Sequence, residues 1–86
     1  MPKVCEFYGV RIYFYFDDHA PPHFHAFYGD HEAQVAIESL EIMAGSLPNR
    51  AHALVAEWAL PRRAELRRAW RQASKPESVD PIAPLP

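Results

Sequence analysis

The chain predicts a small α+β domain in which an antiparallel sheet of three to five strands packs against one or two C-terminal helices. Three observations carry this. Val10, Ile12, Phe14 and Phe16 alternate with Arg11, Tyr13, Tyr15 and Asp17, the period of a half-buried strand. Leu47, Ala51, Leu54, Val55, Trp58 and Ala59 recur at helical spacing. The strand-like segments all precede the helix-like ones, the order of a sheet covered by one helical layer. At 86 residues the chain is one domain, able to bury roughly 60% of its unfolded surface. Residues 1–75 form its body and 76–86 a Pro-rich extended tail.

Taken in order, Val4 to Tyr8 is a short first strand with Gly9 at the turn. The strand from Val10 follows, its Val/Ile/Phe set facing the core and Arg11, Tyr13 and Tyr15 facing away. After Pro21-Pro22 the alternation resumes from His23 to Tyr28, with Phe24, Ala26 and Tyr28 on the core face and His23, His25 and Phe27 on the other. Gly29-Asp30 signals a turn, and Glu32 to Glu38 is a third main strand with Val35 and Ile37 inward. Ser39 to Ala44 returns as a short hairpin partner. Ser46 and Pro48 mark a helix start, with Ser46 as the cap. Pro61 kinks that helix or opens a second one, on which Leu66, Ala69, Trp70 and Ala73 form the apolar face. Ile82 and Leu85 are the tail's candidate docking anchors.

Composition narrows the classes of function. Apolar residues are 49% and aromatics 13% of the chain, the profile of an ordered domain. The single cysteine, Cys5, excludes an internal disulfide or a Cys-based zinc ribbon and fits a reducing, cytoplasmic setting. No secretory leader and no membrane-length apolar run is visible. The net charge of −2 conceals an asymmetry: residues 1–45 carry two basic and seven acidic side chains, residues 46–86 seven basic and four acidic. Attraction for nucleic acid therefore belongs to the second half.

The run Asp17-Asp18-His19-Ala20-Pro21-Pro22-His23-Phe24-His25-Ala26 holds three of the five histidines and two carboxylates in ten residues. Three readings compete. In the first, the two imidazoles of His23-x-His25 point to one face about 6 to 7 Å apart and chelate a divalent metal such as zinc, with His19 and Asp18 (or Asp17) completing the shell. An open position would then allow metal-assisted hydrolysis. In the second, His23 and His25 act as general base and acid on an RNA phosphodiester, with Arg11 stabilising the developing charge and Tyr13 and Tyr15 stacking bases. In the third, the polar side chains bond backbone groups left free by the prolines, and the run is a structural turn. His31 and His52 read as isolated surface or boundary residues, and Cys5 as a small buried one.

Arg63, Arg67 and Arg71 recur at i, i+4 on the second helical segment and form a basic ridge for RNA or an acidic protein partner. With no helix-turn-helix signature, sequence-specific DNA reading is not expected.

The stretch Tyr15-Phe16-Asp17-Asp18-His19-Ala20-Pro21-Pro22-His23-Phe24-His25-Ala26, followed by Gly45-Ser46-Leu47-Pro48 and a helix containing Glu57-Trp58, resembles the small prokaryotic domain-of-unknown-function family 4160. The family's pattern falls on His19, Pro21, Pro22, His23 and His25. The resemblance implies a compact single-domain protein encoded beside another small protein, similar to a toxin-antitoxin module. The reading it favours is a cytoplasmic, toxin-like member of such a pair acting on RNA through the histidines. The alternative is a non-enzymatic metal-binding or protein-interaction module, with the aromatic face or arginine ridge covered by its partner or by a second copy.

Overall fold

A computed structural model describes residues 3–75 and 79–86. Five strands, β1 (Lys3–Phe7), β2 (Val10–Tyr13), β3 (His23–Tyr28), β4 (His31–Ala36) and β5 (Ile42–Gly45), form one antiparallel sheet in sequence order. A helical run follows as α1 (Asn49–Ala59), a single 3₁₀ turn (Leu60–Arg62) and α2 (Arg63–Ala73). The predicted α+β class and antiparallel sheet are what the chain adopts. Among the described residues, no helix is long and apolar enough to cross a membrane.

The β1–β2 turn places Tyr8 and Gly9 both at positive φ, 47° and 85°, a backbone twist that suits a two-residue hairpin. The inner face of the sheet (Val10, Ile12, Phe24, Ala26, Ala33, Val35) and the helices (Val55, Trp58, Ala59, Leu66, Ala69) form one buried cluster. Trp58 is its hub, fully buried, with ring centroids 5.2 Å from Phe7 and 5.9 Å from Phe24. Gly45 pairs with Ala33, and a Cβ there would overlap the Glu32 carbonyl oxygen.

Two local expectations are corrected. Phe16 does not continue the second strand inward; it is 57% exposed. The sheet hydrogen bonding of β2 ends at Tyr13, and Asp17 turns the chain at φ 53° with its N–H donating to the Ala73 carbonyl, 2.9 Å. Ser46 does not cap α1. Just past β5, its N–H donates to the Glu32 carbonyl of β4, and the helix instead starts after Pro48 with no side-chain cap. At Pro61 the second of the two expectations holds: a proline without an N–H is absorbed in the 3₁₀ turn from which α2 starts.

Residues 79–86 lie on the body. Val79 and Ile82 are buried and Leu85 half-buried. The Ile82 N–H donates to the Val4 carbonyl of β1 (2.9 Å), the Trp58 Nε1–H donates to the Ala83 carbonyl (2.8 Å), and the Tyr8 hydroxyl reaches the Pro86 carbonyl.

Candidate metal centre

Residues 14–22 leave the sheet after β2 and return to it at β3, folding over the first residues of that strand. The Ala20–Pro21 peptide within this segment is cis. Fixed backbone at Pro21 and Pro22 limits how the chain can re-enter the strand, and the Pro22 carbonyl accepts from the Ile37 N–H beyond β4 (3.1 Å). His23 and His25 therefore start β3 on its outer face, as the alternation predicts, with His25 opposite Tyr13 on β2 and Gln34 on β4.

That face is nevertheless closed. His23 is 1% and His25 3% exposed. Tyr15 stacks flat on the His25 ring with centroids 3.8 Å apart and planes within 3°, while Trp70 of α2 lies 5.2 Å from the His23 ring. The two imidazoles are 5.1 Å apart.

Asp18 is brought between them. Its Oδ2 lies 2.7 Å from His25 Nε2 and 2.9 Å from His23 Nε2, and its Oδ1 accepts the His19 N–H at 2.9 Å. Burial raises the Asp18 pKa, but the His25 hydrogen bond, the His19 N–H and the neighbouring imidazoles outweigh it and hold the carboxyl below its ordinary value. Asp18 is an anion at neutral pH.

The protons can be placed by elimination. A carbonyl only accepts, so His23 Nδ1, 2.8 Å from the Pro21 oxygen, carries the hydrogen. The His23 Nε2 of a neutral ring is then a bare lone pair. It lies close to Asp18 Oδ2 but off the direction of a hydrogen bond, and is a buried nitrogen without a partner. His25 Nε2 donates to Asp18, which leaves His25 Nδ1 likewise buried and without a hydrogen bond, 3.7 Å from Glu32 Oε2. Two orphaned nitrogens in a core this small are costly, roughly 1–3 kcal/mol each, unless a ligand or a proton completes them.

One ligand atom from each of Asp18, His23 and His25 lies within 4.8 Å of the others. His19 is near, with Nδ1 3.1 Å from Asp18 Oδ1, but its side chain is 74% exposed and on the solvent side of the carboxylate. Asp17 is exposed, tied to α2 through its backbone. Arg11 is not brought to the cluster. It pairs across the strands with Phe27 and its guanidinium lies over that ring at 5.6 Å. Tyr13 packs edge-on against Phe27 at 5.3 Å. Burial, then the negative charges of Glu32 and Asp18, push the Tyr15 phenol up.

The arginine ridge is divided rather than continuous. Arg63 donates to the Ile37 carbonyl and Arg67 makes a two-pronged pair with Glu38 at 2.6 and 2.7 Å. Among the described residues, Arg71 has no ion-pair partner. Asp18 and His23 both bond backbone groups of the loop.

Tyr15, expected on the histidines' face as a residue that stacks bases, stacks on His25 itself; Trp70 as a wall and Glu32 behind His25 are not given by the sequence reading. Glu32 was readable in principle: with Ala33 and Val35 inward, Glu32 and Gln34 face outward beside His25. Trp70 was not, because its helical spacing gives only its face and not the strand end it meets.

By its family model, the chain belongs to the family described as Domain of unknown function (DUF4160), matched over residues 9–71, which includes every residue of the cluster. No curated protein and no solved structure gave a match.

Proposed function

We propose that this family member is a metal-binding domain in which Asp18, His23 and His25 hold one divalent transition-metal ion such as zinc. The observation that carries the reading is His23: buried, fixed through Nδ1–H on the Pro21 carbonyl, with an unpartnered Nε2 facing the carboxylate and the second imidazole. An outer hydrogen bond that fixes the tautomer and aims the other nitrogen inward is how metal-ligating histidines are held. His25 has the matching support. Moving its proton from Nε2 to Nδ1 frees the inner nitrogen and turns the N–H toward Glu32, 3.7 Å away.

Three protein ligands of nitrogen and oxygen type suit zinc and leave a position for water or a ligand. A pocket of about 70 Å³ lined by Tyr15, Asp18, Trp70, Ala73 and Ser74 adjoins the cluster at Asp18. The metal-free acid–base reading has less support, because Arg11 lies over Phe27 and both imidazoles are covered. The lone thiol of Cys5, buried, is consistent with a cytoplasmic setting. A toxin-like role beside a small protein partner would be exercised through this centre.

Calorimetric titration of Zn²⁺, Mn²⁺ and Ni²⁺ into tag-free protein tests the proposal, with the His23→Ala/His25→Ala double variant as control. One ion per chain, lost in the variant, is expected. Absence of stoichiometric binding by wild-type protein would leave the run a hydrogen-bonded turn.

A further inference from the structure

We infer that the ligand of this centre carries a phosphate group, held by Arg71 and Lys75 with Arg68 in a groove that meets the metal pocket at Ser74. The inference rests on the metal reading and adds the chemical class of what the metal faces. The groove, about 380 Å³, is lined by Arg68, Arg71, Gln72, Ser74 and Lys75, and Ser74 is also a wall of the pocket against Asp18.

The charges select an anion. Of the arginines on α2, Arg63 and Arg67 are committed to Ile37 and Glu38, and Arg68 shares an exposed pair with Asp80 at 3.2 Å, the kind of pair that is worth little in water. Arg71 and Lys75 pair with no carboxylate among the described residues. Cations in the last helical turn also suit the helix dipole, but here the carbonyls of that turn are already met: Ser74 bonds Arg71, Lys75 N–H bonds Gln72, and Asp17 N–H bonds Ala73. The side chains are therefore available to a ligand. A guanidinium and an ammonium on one groove match phosphate oxygens. Asp18 alone would repel such a group, whereas a divalent ion on Asp18 reverses the local sign. Metal and groove then act on the same anion from two sides.

Two sources share this chemistry, a small phosphate ester and the backbone of single-stranded RNA, and the test separates them. Zinc-loaded wild-type protein and the Arg71→Gln/Lys75→Gln variant are titrated with inorganic phosphate and with a short single-stranded RNA. Chemical shifts of Ser74 and the Trp70 indole report the site, and calorimetry reports zinc affinity in parallel. Expected is binding that weakens in the variant with zinc affinity unchanged. For RNA, the slope of log affinity against log salt should fall by about 1.4, at about 0.7 for each phosphate contact removed. RNA bound far more tightly than phosphate assigns the strand, and comparable binding assigns the small ester. Equal binding by wild type and variant, or no binding of either probe to the zinc-loaded protein, overturns the inference. Failure to load zinc at all instead overturns the metal reading, and is seen separately in the zinc titration.

Discussion

Replacing Ile82 with Ala probes whether the last eight residues hold the domain together. Ile82 is 6% exposed and belongs to the same buried cluster as Trp58 and Val4. Deleting three carbons from such a site costs the transfer free energy of those groups and leaves a cavity, 2–5 kcal/mol in well-enclosed cores. A strap at the periphery can settle into the space, so about 2–3 kcal/mol is expected. In a domain of this size each kcal/mol moves Tm by roughly 4–8 °C, so the variant should melt on the order of 10–20 °C lower. The Ile82 N–H to Val4 bond survives the change, which isolates the side chain's share. Differential scanning calorimetry gives the shift, and Trp58 fluorescence gives its cause, because loosening the strap releases the Nε1–H from Ala83 and admits water. A fall below about 2 °C with unchanged Trp58 emission would refute the view that the tail belongs to the core.

Three other outcomes are expected. Gly45→Ala should lower stability by about 2–4 kcal/mol in urea denaturation, since φ is 79° and the added Cβ meets the Glu32 carbonyl. Glu38→Gln should lower Tm near pH 7, with the difference shrinking in acid: the Arg67 hydrogen bond depresses the Glu38 pKa, so its contribution is present above the ordinary value of 4.5 and is lost as pH falls through the lower folded value. Glu32→Gln should weaken zinc binding about tenfold by calorimetry, the low end for an outer partner of a ligating histidine because the separation is 3.7 Å.

Much of this architecture was legible in residue order. Period-two alternation locates three strand faces, and helical spacing puts Leu66, Ala69 and Ala73 on the buried side of α2. What failed was local competition. Phe16 obeyed the alternation, but a backbone bond from Asp17 to the end of α2 drew the chain off the sheet. Ser46 had the chemistry of a cap, but its N–H was taken by the sheet. At the site, strand geometry predicted that His23 and His25 would share a face, and they do. Sequence reading does not give their burial, because it depends on Tyr15 folding back and on Trp70 arriving from far along the chain, on the second helix. Asp18 was foreseen as a ligand; Arg11 was placed on the correct face but two strand positions from the histidines' neighbour, where Phe27 claims it.

The docking of Ile82 onto Val4 has a consequence for crowded solutions. A sheet normally offers two open borders to other chains, and growth into a ribbon needs both. Here the β1 border already has a backbone contact from the molecule's own end, while β5, the uncharged Ile42–Gly45, is the other. A strand approaching β1 at Val4 would have to displace the Ile82 N–H, so the chain's own Pro-rich end narrows what this border offers to another molecule.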